Sequence, residues 1–267
     1  MKVVSLGYRS DLMLLALRGS SIEEHVDCLV VRTPDNPTYH WGNFLLLQAP
    51  PAPGSVAQWT ARFHAEFPDA EHIAIGVDGT DGAAGDPDEL AAAGLWPDLS
   101  TVMTTEAVHE PPHPNRAADI RMLCDDRDWQ AALELKEANN TDYEPVAYRA
   151  FAIRTMDAMR RLQERGCGEW FGAFSDGRMV SGLGVYTDGS GIARFQSVDT
   201  HPVHRGRGLA GTLVHTAGRY MLDRPDVHTL VMVADPGYGA IRIYRSVGFS
   251  DTEQQVQLLR LPPADRP

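Results

Sequence analysis

HRGRGLAGTLV, residues His204 to Val214, gathers three glycines and two arginines in one short run and then reads as a helix. A helix N-terminus presents unpaired N–H groups and a partial positive charge, so it attracts anions without further help. Glycines let the backbone approach a diphosphate closely, and Arg205 and Arg207 add charge. A glycine turn needed only to lead a strand into a helix is the plain alternative. Gly206, Gly208 and Gly211 also spell G-x-G-x-x-G, so two different phosphate-binding readings compete for this stretch.

The dinucleotide reading has one support: the next strand ends LVMVAD, which places Asp235 about where a ribose-binding acid would sit. Two facts oppose it. The preceding strand ends near Val198, and DTHPVHR intervenes before the first glycine, whereas that fingerprint turns straight out of its strand. Only residues 236–267 follow Asp235, too few for the further units of a doubly wound sheet.

Working outward from the turn, IRMLCD (Ile120–Asp125) is strand-like, and Asp126 or Asp128 could cap a helix through Trp129 to Glu137. A longer helix follows Pro145, with apolar residues recurring from Val146 to Leu162 and Gly166 as its stop. Asp176-Gly177 is a two-residue hairpin signal between apolar strands. A turn at DGSG (Asp188–Gly191) then leads into the strand IARFQSV. Beyond the glycine helix, which runs to about Leu222, follow a strand HTLVMV, a short helix through AIRIYRSV and a last strand over QQVQLLRL. The order is β-α-α-β-β-β-α-β-α-β, an α/β arrangement.

Within this order, VDTHPVHRGRGLAGTLV resembles the acyl-CoA-binding motif of the GNAT superfamily of N-acyltransferases, Q/R-x-x-G-x-G/A. Here the core is Arg205-Gly206-Arg207-Gly208-Leu209-Ala210, with Pro202 upstream. AIRIYRSVGF resembles the family's second motif, A-x-x-x-Y-x-x-x-G-F, through Ala240, Tyr244, Gly248 and Phe249. The resemblance covers about Ala118 to Leu261. It implies a mixed central sheet flanked by helices and an acetyl-CoA-dependent N-acetyltransferase. The co-substrate would be acetyl-CoA, with no metal, and the acceptor an amine on a small molecule or a protein.

The resemblance also implies roles. In the family, the strand before the turn splays from its neighbour and its exposed backbone bonds the pantetheine arm, which falls here on Val198, Asp199 and Thr200. The turn N–H groups of Arg205, Gly206, Arg207, Gly208, Leu209 and Ala210 would hold the pyrophosphate. Tyr244 matches the tyrosine that protonates the leaving thiolate; a phenol of pKa about 10 still carries its proton at neutral pH. The base departs from known patterns. A glutamate used by some protein-amine acetyltransferases is replaced by Met232, and the usual asparagine of the second motif by Gly237. Asp199, Glu169 and Asp235 are candidate bases acting through water. These absences keep open a non-catalytic acyl-CoA-binding or scaffolding module.

The first half repeats part of the order more faintly. NFLLLQ is a strand, SVAQWTARFHAEF an amphipathic helix, HIAIGVD a strand, DELAAAGLW a short helix and LSTVMTTE a strand. We read an internal duplication: residues 1–112 a degenerate GNAT-like domain, 113–118 a linker within the proline-rich VHEPPHPNRA, and 119–267 the catalytic domain. Where the first helix of the repeat begins, QAPPAPGSVAQW has three prolines, one glycine and no arginine. Proline lacks an N–H donor, so no CoA site is expected in this copy.

Bulk composition bounds the rest. Of 267 residues, 43% are hydrophobic and 22% charged, the balance of a soluble globular protein. Residues 1–112 carry 16 acidic against 5 basic side chains, a net of −11, and residues 113–267 carry 20 against 19, a net of −1. The first half would repel phosphate, so nucleic acid is not an expected partner. The longest apolar run, Leu12–Leu17, cannot span a bilayer, no export signal is visible, and the three scattered cysteines form neither a disulfide framework nor a metal pair. A cytoplasmic protein without membrane attachment is the default expectation. His201, His204 and His215 lack a third ligand at a recognised spacing. Ser190 lacks the nucleophile elbow, and Tyr8, Trp41 and Trp59 read as packing residues.

Overall fold

In a computed structural model, residues 1–37, 39–141 and 144–261 are described. The first part of the chain forms α1 (Leu6–Leu17), β1 (Ser21–Glu24), β2 (Cys28–Arg32), β3 (Phe44–Leu47), α2 (Val56–Glu66), β4 (Ile73–Val77), α3 (Pro87–Ala92) and β5 (Trp96–Thr105). The second part continues with β6 (Asp119–Met122), α4 (Asp126–Ala138), α5 (Pro145–Glu164), β7 (Gly168–Ser175), β8 (Arg178–Tyr186) and β9 (Gly191–Thr200). It ends with α6 (Leu209–Leu222), β10 (Val227–Ala234), α7 (Ala240–Ser246) and β11 (Ser250–Arg260).

The chain divides into two compact units, and neither is one contiguous stretch. The first unit holds Met1–Val102, Val233–Gly237 and Asp251–Pro267; the second holds Met103–Met232 and Tyr238–Ser250. The strand read at the sequence level as the last of the second half therefore serves the first unit. Strand β11 pairs antiparallel with β4, from Val256 opposite Val77 to Arg260 opposite Ile73.

In the first unit, β1, β2 and β3 form an antiparallel run, and β3 pairs in parallel with β4. Strands β3 and β4 are buried along their whole length, as expected of strands covered on both faces. Helix α1 is apolar on nearly every side and shows no amphipathic stripe, so the periodicity of the sequence does not reveal it. Its first turn is held by acceptors distant in sequence. Asp78 accepts from the N–H groups of Val4 and Ser5 at 2.8 and 2.9 Å. Glu253 on β11 accepts from the Ser5 hydroxyl at 2.9 Å and the Leu6 N–H at 3.1 Å. Tyr8 is buried and its hydroxyl donates to the Val256 carbonyl. Trp41 and Trp59 pack against the same core.

In the second unit the strand order is β10-β9-β8-β7-β6. The β7–β8 hairpin turns at Asp176 and Gly177, both at positive φ (50° and 73°), as the Asp-Gly pair demands. Helix α4 is capped by Asp125, rather than by Asp126 or Asp128 as read from the sequence; its carboxylate accepts from Arg127 and Asp128 N–H at 3.0 and 2.9 Å. Asp128 instead receives the Arg121 guanidinium on both oxygens. Helix α5 begins at Pro145, and Gly166 follows its end at φ 72°. Among the described residues no helix is long and apolar enough to cross a membrane.

Candidate active site

The parallel pairing of β10 with β9 runs from Val227 opposite Gly191 to Val231 opposite Arg194 and stops there, while β9 continues to Thr200. A bulge bends that free end. On β8, Gly182 faces Asp199 and Gly184 faces Gln196, so β9 holds one extra residue, and Ser197 sits there at φ 50°. A non-glycine residue in that region is uncommon and marks a backbone held by its surroundings.

After β9 the chain makes a short 3₁₀ turn, Pro202–His204, and enters the glycine run. Gly206 and Gly208 lie at φ 73° and 74°, a conformation that a side chain resists, and α6 starts at Leu209. Left-handed residues alternating with others turn successive N–H groups toward one side, an anion-holding geometry. Helix α6 contributes its N-terminal end to the same place. The two arginines brace the turn. Arg205 donates to the Thr200 carbonyl at 3.2 Å and to Asn139 Oδ1 at 2.7 Å, and Arg207 donates to the Val203 carbonyl at 3.2 Å.

These pieces surround one cavity of about 690 Å³ in the second unit. Val198, Asp199, Thr200, Arg205, Gly206, Arg207, Gly208, Leu209, Ala210 and Tyr244 all line it. Tyr244, on α7, is buried; that burial, with the Tyr238 phenol and the Asp199 carboxylate nearby, raises its hydroxyl well above the usual phenol range. It therefore keeps its proton at any working pH.

Of the three candidate bases, Asp199 lines the cavity. Burial raises its carboxyl above the ordinary value, and Lys136 and Arg205 pull it partly back. Glu169 lies on β7, where it accepts from the Tyr220 hydroxyl at 3.3 Å. Asp235 belongs to the first unit, and its carboxylate closes a local turn on the Gly237 N–H at 2.7 Å. Met232 is buried and brings no titratable group. His201 and His204 face each other edge to face, and no metal-holding cluster occurs among the described residues.

Sequence reading missed two contributors. Lys136 on α4 is buried beside Asp199. It follows Trp129, Ala132 and Leu133 on the helix's buried stripe, so a lysine at core spacing was the available signal. The second is the proline stretch, which lies on the second unit. Pro111, Pro112 and His113 line the cavity. Asn115 receives support from both ends of the turn: its N–H donates to Thr212 Oγ1 at 2.8 Å and its side chain to the Arg207 carbonyl at 2.9 Å. His109 N–H donates to the Val247 carbonyl at 2.8 Å. A side chain at Gly248 would press to 2.8 Å from the Ala107 carbonyl, which accounts for the glycine of the second motif.

The acetyltransferase (GNAT) family model matches residues 132–249, the stretch that carries the bulged strand, the turn and Tyr244. Residues 132–249 are a GNAT domain. The fold likeness extends further. A GCN5-related N-acetyltransferase from Kribbella flavida has a TM-score of 0.67 at 16% identity, over 94% of this chain and 92% of that one. A functionally unknown conserved protein from Staphylococcus epidermidis has a TM-score of 0.71 at 12% identity, over 91% and 94%. A tandem GNAT protein from the clavulanic acid biosynthesis pathway has a TM-score of 0.56 at 17% identity, over 95% and 94%. Such neighbours span both halves, so the first half is GNAT-like in fold as well. No curated protein matches the chain in sequence.

Proposed function

We propose that the chain is an acetyl-CoA-dependent N-acetyltransferase with its active site in the GNAT domain. The observation that carries this reading is the meeting of three features on one cavity: a strand freed from its neighbour, a left-handed glycine turn, and a protonated, buried tyrosine. The edge of β9 from Val198 to Thr200, which has no β10 partner, suits an amide-bearing pantetheine arm. The N–H groups from Arg205 to Ala210 suit its diphosphate. A Cβ on Gly206 would meet no atom within 4 Å, so the backbone there is open to close approach.

Acetyl-CoA supplies the activated acyl group. Asp199 takes a proton from the acceptor's ammonium, leaving an amine whose lone pair forms the C–N bond as the C–S bond breaks. Tyr244 gives its proton to the departing sulfur, and the nitrogen sheds its second proton. The net products are amide, thiol and one proton. The acidic first half favours a cationic acceptor such as an aminoglycoside, a polyamine or a lysine.

Met232 and Gly237, standing where family members carry glutamate and asparagine, favour a second reading: a module that binds acyl-CoA without turnover. Thiol release from acetyl-CoA across a panel of amines, alongside calorimetric titration with CoA, separates the two. Release with an amine supports the transferase. Tight CoA binding with no release from any amine supports the binding module instead.

A further inference from the structure

We propose that Lys136 is a positioning residue for this reaction: its buried ammonium fixes the Asp199 carboxylate and the Ser197 bulge together, so that Asp199 faces the acyl cavity as the acceptor of the ammonium proton. The inference rests on the transferase reading and adds to it a residue that neither motif contains.

Lys136 Nζ lies 3.6 Å from Asp199 Oδ2 and 3.0 Å from Ser197 Oγ. Lys136 and Asp199 are both largely withdrawn from water, with side chains 11% and 25% exposed. A buried ammonium is costly unless it is paired, so this lysine is fixed to its two partners. Asp199 Oδ2 is itself buried and has no hydrogen-bond partner. Its ion-pair distance to Lys136 exceeds hydrogen-bond length, so this buried acceptor is left short of a donor.

Two cations act on Asp199, Lys136 from α4 and Arg205 from the turn, and the neutral Tyr244 phenol lies near it on α7. From β8, the Ser181 hydroxyl donates to the Asp199 carbonyl at 2.7 Å and fixes its backbone. Arg205 is already committed to the Thr200 carbonyl and Asn139. Lys136 is therefore the main cation acting on the carboxylate. Without it, desolvation would act with less opposition, and the group would hold its proton to higher pH and become the free base only there. The same ammonium fixes Ser197 in its left-handed conformation, and so the direction of the Val198 backbone next to it.

The test is the pH dependence of kcat/KM for acetyl transfer to whichever amine the panel finds active, in the full chain. Lys136→Met should move the acidic limb upward by about one pH unit or more. Lys136→Arg should restore most of the original profile, and Asp199→Asn should remove the limb. A Lys136→Met profile parallel to wild type, lowered only in amplitude, overturns the inference and reduces Lys136 to a structural ion pair. If Lys136→Met does not fold, Lys136→Gln takes its place, and the Asp199 carboxyl is titrated directly by carbon NMR of labelled aspartate. An unmoved Asp199 titration overturns the inference while the transferase reading stands. CoA binding without turnover in wild type overturns both.

Discussion

The Gly208 α-carbon stands directly against the carbonyl oxygen of His113, so that any Cβ at 208 would fall well inside van der Waals distance of that oxygen. The family glycine thus serves two ends at once. It takes the left-handed conformation of the turn, and it lets the proline stretch lie over it. Its neighbour Gly206 is different, for a Cβ there meets nothing within 4 Å. The two glycines can therefore be told apart by substitution.

Gly208→Ala should dislodge residues 111–115 from the turn and lower the melting temperature, with CoA binding lost as a consequence. Gly206→Ala should cost only the left-handed backbone penalty, about 1 kcal/mol, and leave the fold in place. Its methyl group would nevertheless stand between backbone and diphosphate, and CoA affinity should fall about tenfold or more, ~1.4 kcal/mol. Calorimetric titration of both variants, with their melting curves, checks this. Wild-type CoA affinity in a folded Gly206→Ala protein would refute close backbone approach at this turn.

Tyr244→Phe keeps the ring and removes the proton donor. The prediction is a fall in kcat of about 10²-fold or more, the usual range for a lost general acid, with the Kd for CoA unchanged. Because the hydroxyl is raised far above neutral pH by burial, wild-type activity should show no loss of this proton at the alkaline end below the range of ordinary phenols. Steady-state kinetics against pH reads both effects. A Phe variant with wild-type kcat would assign protonation of the sulfur to another group or to water.

The local signals of the second half were legible because each was written in a few adjacent residues. Asp176-Gly177 named its hairpin, Gly166 its helix stop, and the spacing of Arg205, Gly208, Tyr244 and Gly248 the turn and the helix that face one cavity. What stayed hidden depends on distant partners. Helix α1 has no polar face to give it a period, and its N-terminus is satisfied by Asp78 and Glu253. Strand β11 reads as a strand anywhere, but nothing in QQVQLLRL says that its partner is β4. Lys136 belongs to neither motif, and only the buried stripe of its helix draws it to the site. The proline stretch read as a tether because proline marks irregular backbone without saying what that backbone lies on.

Glu253 offers a stability test confined to the first unit. Its carboxylate serves the Ser5 hydroxyl and the N–H groups of Leu6 and Gly7 at 2.9, 3.1 and 3.3 Å. Glu253→Ala should leave these donors unserved and destabilise the unit by ~1–2 kcal/mol, the range of a lost helix cap. Denaturant unfolding monitored through the first unit's tryptophans would show it. An unchanged midpoint would mean that α1 does not depend on β11 for its N-terminus.

His72 gives the first unit a pH signature. It is buried, its Nε2–H donates to the Asn43 carbonyl at 3.3 Å, and its ring lies 4.4 Å from that of His40. Burial, then the neighbouring His40, lowers its pKa to about 4 from 6.5. Between those values the unfolded chain binds more protons than the native one, so stability rises with pH there. The neutral ring's contribution is complete above about pH 6.5 and is lost as pH falls toward 4, by up to ~3 kcal/mol. His72→Gln, which keeps a donor for Asn43, should flatten that slope. Equal slopes in both proteins would place the acid sensitivity elsewhere.

The last prediction is one CoA per chain. Both units carry a strand, a turn and a helix in the same order, so the comparison is between two equivalent places. In the second unit the strands part after Arg194, and the turn holds two left-handed glycines. In the first unit β3 and β4 stay paired through Leu47 opposite Val77, and Asp78 N–H adds a further bond to the Leu47 carbonyl at 2.8 Å. No backbone is freed there for a pantetheine arm. The chain then passes Pro50, Pro51 and Pro53, which bring no N–H groups, and the Gly54 N–H donates to Glu89 Oε1 at 2.6 Å. A carboxylate of the unit's own thus stands at the N-terminal end of α2, where a diphosphate would meet like charge. Glu89→Gln should accordingly leave the stoichiometry at one, because the strands remain closed and the prolines remain without donors. Calorimetric titration of the wild-type chain and this variant measures it directly. Two sites of comparable affinity in either protein would show that the first unit binds the acyl donor after all.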